Sequence, residues 1–234
     1  MDSPLTDSLG ALTLTDTRLH RAARCGDISV TQEIIQINRE DGLSLLNSQN
    51  KLGQTPLLLA CIAGEFSAAK ILLDAGASAA IPDKEGDTPL HWLHAFEKSS
   101  IPSIAASLMN RGASIHDFSG RHEKDAFSQK ILAAGTPLHR AAAWDNGEAV
   151  RVLLDHGADP LRPNSGHGWH ELSTPLWSAC TFHNSEAVTA ILLHLSKTKD
   201  VASIINDGER RKWPSLMPVF DLGYYYLNGG MLEE

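Results

Sequence analysis

Eleven histidines in 234 residues give this chain its clearest capacity for chemistry. Imidazole can ligate a metal or move a proton near neutral pH. His91 and His94 stand three apart, a spacing that can share one helical face. His116, Asp117, His122 and Glu123 form a second group, and His167, His170 and Glu171 a third. Zinc sites set their ligands at tight spacings, with cysteine pairs or a His-Glu-x-x-His frame. None of the three groups has such a frame. Cys25, Cys61 and Cys180 form no Cys-x-x-Cys pair. The sequence has no Gly-x-Ser-x-Gly elbow, no phosphate-cradling GxxxxGK[ST] loop and no GxGxxG run after a strand. No catalytic residue, metal ligand or cofactor is therefore assigned.

The elements that carry these histidines repeat. Residues 135–160, GTPLHRAAAWDNGEAVRVLLDHGADP, give the best-formed unit. Thr136-Pro137-Leu138-His139 opens it, and Ala141-Ala142-Ala143 follows. Gly147 is read as the break, after which Val150, Val152, Leu153 and Leu154 lead to Gly157-Ala158-Asp159. This pattern predicts two short helices with a turn on each side. Thr caps the first helix by accepting a free backbone N–H. Pro at the first helical position loses no needed donor. The small alanine pair lets neighbouring helices approach closely. A glycine after each helix supplies the left-handed closing position. Neither helix can bury its apolar face alone, so the unit requires stacked copies.

Copies begin at Thr55-Pro56-Leu57, Thr88-Pro89-Leu90-His91 and Thr174-Pro175-Leu176, and Leu19-His20-Arg21-Ala22-Ala23 is a variant without Thr-Pro. The prolines at 56, 89, 137 and 175 lie at intervals of 33, 48 and 38 residues. On these motifs the chain resembles the ankyrin-repeat family. The resemblance implies an all-α fold: an ankyrin-repeat solenoid of stacked helix-turn-helix units with short hairpin loops. Repeats are expected near 17–49, 50–82, 83–115, 133–163 and 171–205, with an insertion at 115–134. Residues 1–16 read as a flexible leader, 17–196 as the repeat domain and 197–234 as a degenerate closing repeat or cap. A second insertion, 162–172, carries Trp169 between His167 and His170. The histidine of TPLH is expected to bond the backbone of adjacent turns, so His91 and His139 read as scaffold. His94 sits in a small-residue slot and reads as a tolerated buried polar group.

If recognition follows the family, it uses the inner-helix and hairpin positions that the scaffold leaves free. One column holds Leu59, Trp92, Arg140 and Ser178. A second holds Ile62, Ala95, Ala143 and Thr181. A third holds Cys25, Ala63, Phe96, Trp144 and Phe182. Phe96, Trp144 and Phe182 are expected to form an aromatic row, with Trp92 beside it. Such rows mark binding surfaces. The alternative is that the rings fold down as a floor for the insertions. The partner-binding candidates are Leu59, Trp92, Phe96, Arg140, Trp144, Ser178 and Phe182. Hairpin-tip residues, Lys84, Glu85 and Asp87 among them, read as solvated surface.

A formal charge of −8 excludes the strong basic footprint of a nucleic-acid binder. No apolar run reaches the length of about 20 residues that spans a membrane, and the N-terminus lacks a signal-peptide pattern. Three scattered cysteines suit a reducing compartment, cytoplasm or nucleus. The resulting expectation is a monomeric, non-enzymatic adaptor, scaffold or inhibitor that binds another protein or peptide on its concave face. Two alternatives remain: a regulatory ankyrin fragment of a larger protein, and an accessory factor of an enzyme pathway with a His-rich loop site.

Overall fold

Each Thr-Pro pair starts a helix in the way its chemistry dictates. The threonine is extended, and the proline takes the first turn. The structure, a computed structural model, describes residues 16–37, 42–120, 135–164 and 174–198. Over these residues, inner elements Arg18–Arg24, Pro56–Ile62, Pro89–Ala95, Pro137–Ala143 and Pro175–Thr181 alternate with longer outer helices. The outer helices are Ile28–Ile37, Phe66–Asp74, Ile101–Asn110, Gly147–Asp155 and Ser185–Thr198. Each inner element packs on the inner element of the next unit, and each outer helix on the next outer helix. The result is the expected two-layered, all-α ankyrin solenoid. Among the described residues the only extended pairing is an isolated antiparallel bridge, Ser119 to Gly135. The expectations for residues 1–15, for 121–134, for the Trp169 loop and for the chain beyond 198 lie outside the described residues.

The core follows the sequence pattern. Leu57, Leu72, Leu90, Leu108, Leu138 and Leu153 are fully buried, each stabilising the stack by about 1.5–3 kcal/mol. Small pairs lie between successive inner helices: Ala22-Ala23, Ala60-Cys61, Ala141-Ala142 and Ala179-Cys180. Both buried cysteines are packing residues, and burial raises their thiol pKa values.

Histidine joins the units as expected. His91 Nδ1 accepts from the Thr88 N–H at 3.1 Å, and its Nε2 donates to the Gly135 carbonyl at 3.1 Å. His20 Nε2 donates likewise to the Gln54 carbonyl at 3.0 Å. The His91 bond and the Ser119–Gly135 bridge hold the ends of the first insertion together. Where Leu58 and Trp177 replace this histidine, the bond to the next hairpin is lost, but the Thr55 and Thr174 hydroxyls still accept the amides of those residues, both at 3.1 Å.

Two expectations need correction. The break in the fourth unit is at Asp145, not Gly147. Asp145 has φ +50°, and the equivalent His183 in the fifth unit has φ +57°. Gly26 and Gly64 fill this left-handed slot in the first two units. Gly147 is the first residue of the outer helix, where an added Cβ would lie 2.9 Å from the Glu186 Cβ.

The second correction concerns Phe96, which is only 3% exposed. The third unit carries Leu93-His94 where its neighbours carry two small residues. Its inner element is a tighter 3-10 helix, Pro89–Ala95. Phe96 then leaves in extended conformation and turns into the core. Glu97 stands where the other units use Gly, Asp or His with positive φ, and a short 3-10 turn, Lys98–Ser100, remakes the connection.

Candidate functional site

The inner-helix face of the third and fourth units holds a cleft of about 350 Å³. Its floor is built by Trp92 and Arg140, which occupy the same repeat position one unit apart. Its sides are Leu52 and Ile62 from the second unit and Trp144 from the fourth. The hairpin tip Asp83-Lys84-Glu85 closes one end. That tip is rigid for a local reason: Asp83 Oδ1 accepts the N–H groups of Glu85 and Asp87, both at 2.9 Å.

Arg140 is held from three directions. Its Nη1 and Nη2 donate to Asp87 Oδ2 and Oδ1, both at 2.7 Å, a two-pronged ion pair with side-chain exposures of 8% and 4%. Nη2 also donates to Ser119 Oγ at 3.3 Å. The guanidinium carbon lies 4.8 Å from the centre of the Trp92 ring. The pair therefore ties the third hairpin to the fourth inner helix.

Three rings continue from this pair. Trp92 and His94 lie 5.7 Å apart and tilted by 30°, and His94 stacks on Trp144 at 5.4 Å with only 4° between the planes. Burial, reinforced by the Arg140 charge, pushes the His94 pKa down to about 4. The imidazole in the stack is thus neutral at pH 7. Burial, and next the Arg140 charge, also lower His91. Trp144 is 48% exposed, while the nitrogen atoms Trp92 Nε1 and Arg140 Nε are buried without a hydrogen-bond partner among the described residues. Orphaned polar atoms of this kind are scarce in folded proteins, and here two belong to residues that line one cleft.

The candidate residues separate accordingly. Trp92, Arg140 and Trp144 come together. Leu59 and Ser178 are buried within inner helices, so their side chains present nothing to a partner. Phe96 has left the aromatic row, for the reason given above, and the row is not continuous. Phe182 remains half-buried one unit further on. Sequence reasoning missed Asp87 and His94. Asp87 looked like another solvated hairpin residue, and no local pattern joins it to Arg140 across an insertion. His94 carried a signal, its bulk in a small-residue slot.

The acidic groups of Asp83, Glu85 and Asp87 place oxygen atoms within 4.8 Å of one another. Asp87 commits both oxygens to Arg140, which leaves it a poor cation ligand. Of the histidines singled out in the insertions, His116 contacts Arg162 at 3.3 Å. His122, Glu123, His167, His170 and Glu171 lie outside the described residues. No helix among the described residues is long and apolar enough to cross a membrane.

Comparison with known proteins agrees with this architecture. The family described as "Ankyrin repeats (3 copies)" matches residues 19–119, and "Ankyrin repeat" matches 135–165. NF-kappa-B inhibitor alpha of Sus scrofa is 32% identical over 144 residues, covering 62% of this chain and 43% of that protein. B-cell lymphoma 3 protein of Homo sapiens is 30% identical over 163 residues, covering 68% of this chain and 33% of that protein. The matches thus span less than half the length of these relatives. The crystal structure of the human ASB11 ankyrin repeat domain superposes with a TM-score of 0.59 at 23% identity, covering 80% of this chain and 71% of that one.

Proposed function

The chain belongs to the ankyrin-repeat family, and on that premise we propose that it is a non-enzymatic interaction module that holds a protein or peptide on its inner-helix face. The binding centre is the cleft of Trp92, Arg140 and Trp144. Similarity to a protein named an inhibitor, NF-kappa-B inhibitor alpha, supports an inhibitor or adaptor role. Fold alone does not choose the function, so the site must.

The exposed indole of Trp144 carries the reading. A large aromatic that is 48% exposed, yet held flat against His94, offers contact area with little ordering cost. Beneath it a buried ion pair, Arg140 with Asp87, is already formed. A partner would cover the ring and meet a preformed surface. A reducing compartment, cytoplasm or nucleus, suits the three free cysteines.

The test compares binding of the native partner to the intact chain, to Trp144→Ala and to Leu193→Ala. Leu193 is also exposed, but on the outer helix of the fifth unit. Loss of binding in the first variant alone is the expected result. Equal binding by all three proteins contradicts the assignment.

A further inference from the structure

The cleft also carries information about its partner's chemistry. This inference rests on the binding reading above and deepens it. Asp83, Glu85 and Asp87 line the cleft against Lys84 and Arg140, three carboxylates to two cations. Arg140 is already neutralised by Asp87, which leaves the carboxylates of Asp83 and Glu85 and the ammonium of Lys84 at the hairpin tip. Burial, with added repulsion from Asp87 and Glu85, shifts the Asp83 carboxyl pKa upward, against the opposing pull of the Asp87 and Glu85 N–H groups. That tip favours an incoming positive charge.

The aromatic side points the same way. Trp92 already has a guanidinium over its ring, supplied by Arg140. Trp144 has a neutral imidazole on one face, and nearly half of the residue is exposed where it lines the cleft. Its negative ring face is therefore open to a cation. The interior of the site holds one complete example of the contact: a guanidinium on an indole, forked onto a carboxylate. Leu52, half-exposed, and Ile62 add an apolar wall for the neighbouring residues of an extended segment.

We propose that the cleft receives an arginine side chain from an extended segment of the partner protein, laid on the open side of the Trp144 ring with its guanidinium toward Asp83 and Glu85. Arginine suits this place better than lysine, because a planar, weakly hydrated guanidinium both stacks on an indole and forks onto carboxylate. Aliphatic neighbours in the segment would rest on Leu52 and Ile62.

The experiment titrates the full chain with three fluorescent synthetic peptides, monitored by anisotropy. One alternates arginine and leucine, one lysine and leucine, one glutamate and leucine. The expected result is saturable binding of the arginine peptide, weaker binding of the lysine peptide and none of the glutamate peptide. Trp144→Ala, and separately Asp83→Asn with Glu85→Gln, should each weaken arginine-peptide binding at least about tenfold, equivalent to about 1.4 kcal/mol. Asparagine keeps the oxygen that organises the hairpin tip, and circular dichroism confirms that each variant is folded. Unchanged affinity in the Asp83/Glu85 variant overturns the proposal, as does equal binding of the glutamate peptide. A dimer of the chain itself that Trp144→Ala dissolves also overturns it, because a second copy would then be the occupant. If native-partner binding needs Trp144 but the arginine peptide does not bind, the arginine assignment falls and the binding face stands. If neither needs Trp144, both fall.

Discussion

Arg140 and Asp87, 53 residues apart in the chain, meet through two parallel 2.7 Å hydrogen bonds in a nearly dry pocket. The pair closes the joint between the third and fourth units and fixes the floor on which Trp92 lies. Removing one partner leaves a buried charge, whereas removing both leaves packing. Asp87→Ala is therefore expected to destabilise the chain by about 3–5 kcal/mol. The double replacement Asp87→Leu with Arg140→Met should recover most of that loss. Urea denaturation of the three proteins checks this, and a double variant as unstable as the single one would refute it.

Phe96 and Trp144 occupy equivalent repeat positions but different environments. Phe96→Ala should cost about 3–5 kcal/mol, because it empties a core site. Trp144→Ala should cost less than about 1 kcal/mol, since nearly half the ring is already in water. Thermal melts of the two variants separate the scaffold residue from the candidate binding residue.

Acid should weaken the third unit through His94. Its pKa is 6.5 when unperturbed and about 4 in the fold, so the unfolded chain binds the proton first. Stability is then complete above about pH 6.5 and falls as pH drops toward about 4. His20 and His91 are lowered as well and act in the same direction. His94→Phe keeps a ring against Trp144 and removes the titration. It should flatten the pH dependence of the urea midpoint over that range, and an unchanged slope would remove His94 from the account.

His183 pays a backbone penalty that glycine would not. Its φ of +57° is the left-handed region, which costs an ordinary residue roughly 1–2 kcal/mol. His183→Gly is expected to stabilise by up to about 1 kcal/mol, after the greater chain entropy of glycine is subtracted. Asp145→Gly should gain less, because Asp145 Oδ1 also accepts the Ala187 N–H at 3.1 Å. Differential scanning calorimetry of both variants distinguishes them.

The repeat phase was legible because Thr-Pro, the small pair and the buried leucines are local requirements that recur in order. His91 was legible for the same reason, since its partners belong to its own turn and the next. The Phe96 position was not. Its slot follows from the repeat, but Leu93 and His94 change the helix beneath it and redirect the chain. Asp87 was hidden for a different reason: only the folded stack brings it to Arg140. Trp144 and Trp92 are legible in the sequence, but the stacking of the neutral His94 between them arises only in the fold.

The central claim is that partners bind at the Trp144 cleft. Its most direct measurement is site-specific photo-crosslinking in the native cell, with a photoreactive phenylalanine analogue replacing Trp144 in one protein and Leu193 in another. The expected result is a discrete protein crosslinked from position 144, mapped by mass spectrometry to an arginine-bearing segment, and absent from position 193. The same products from both positions, or products from 193 alone, would contradict it.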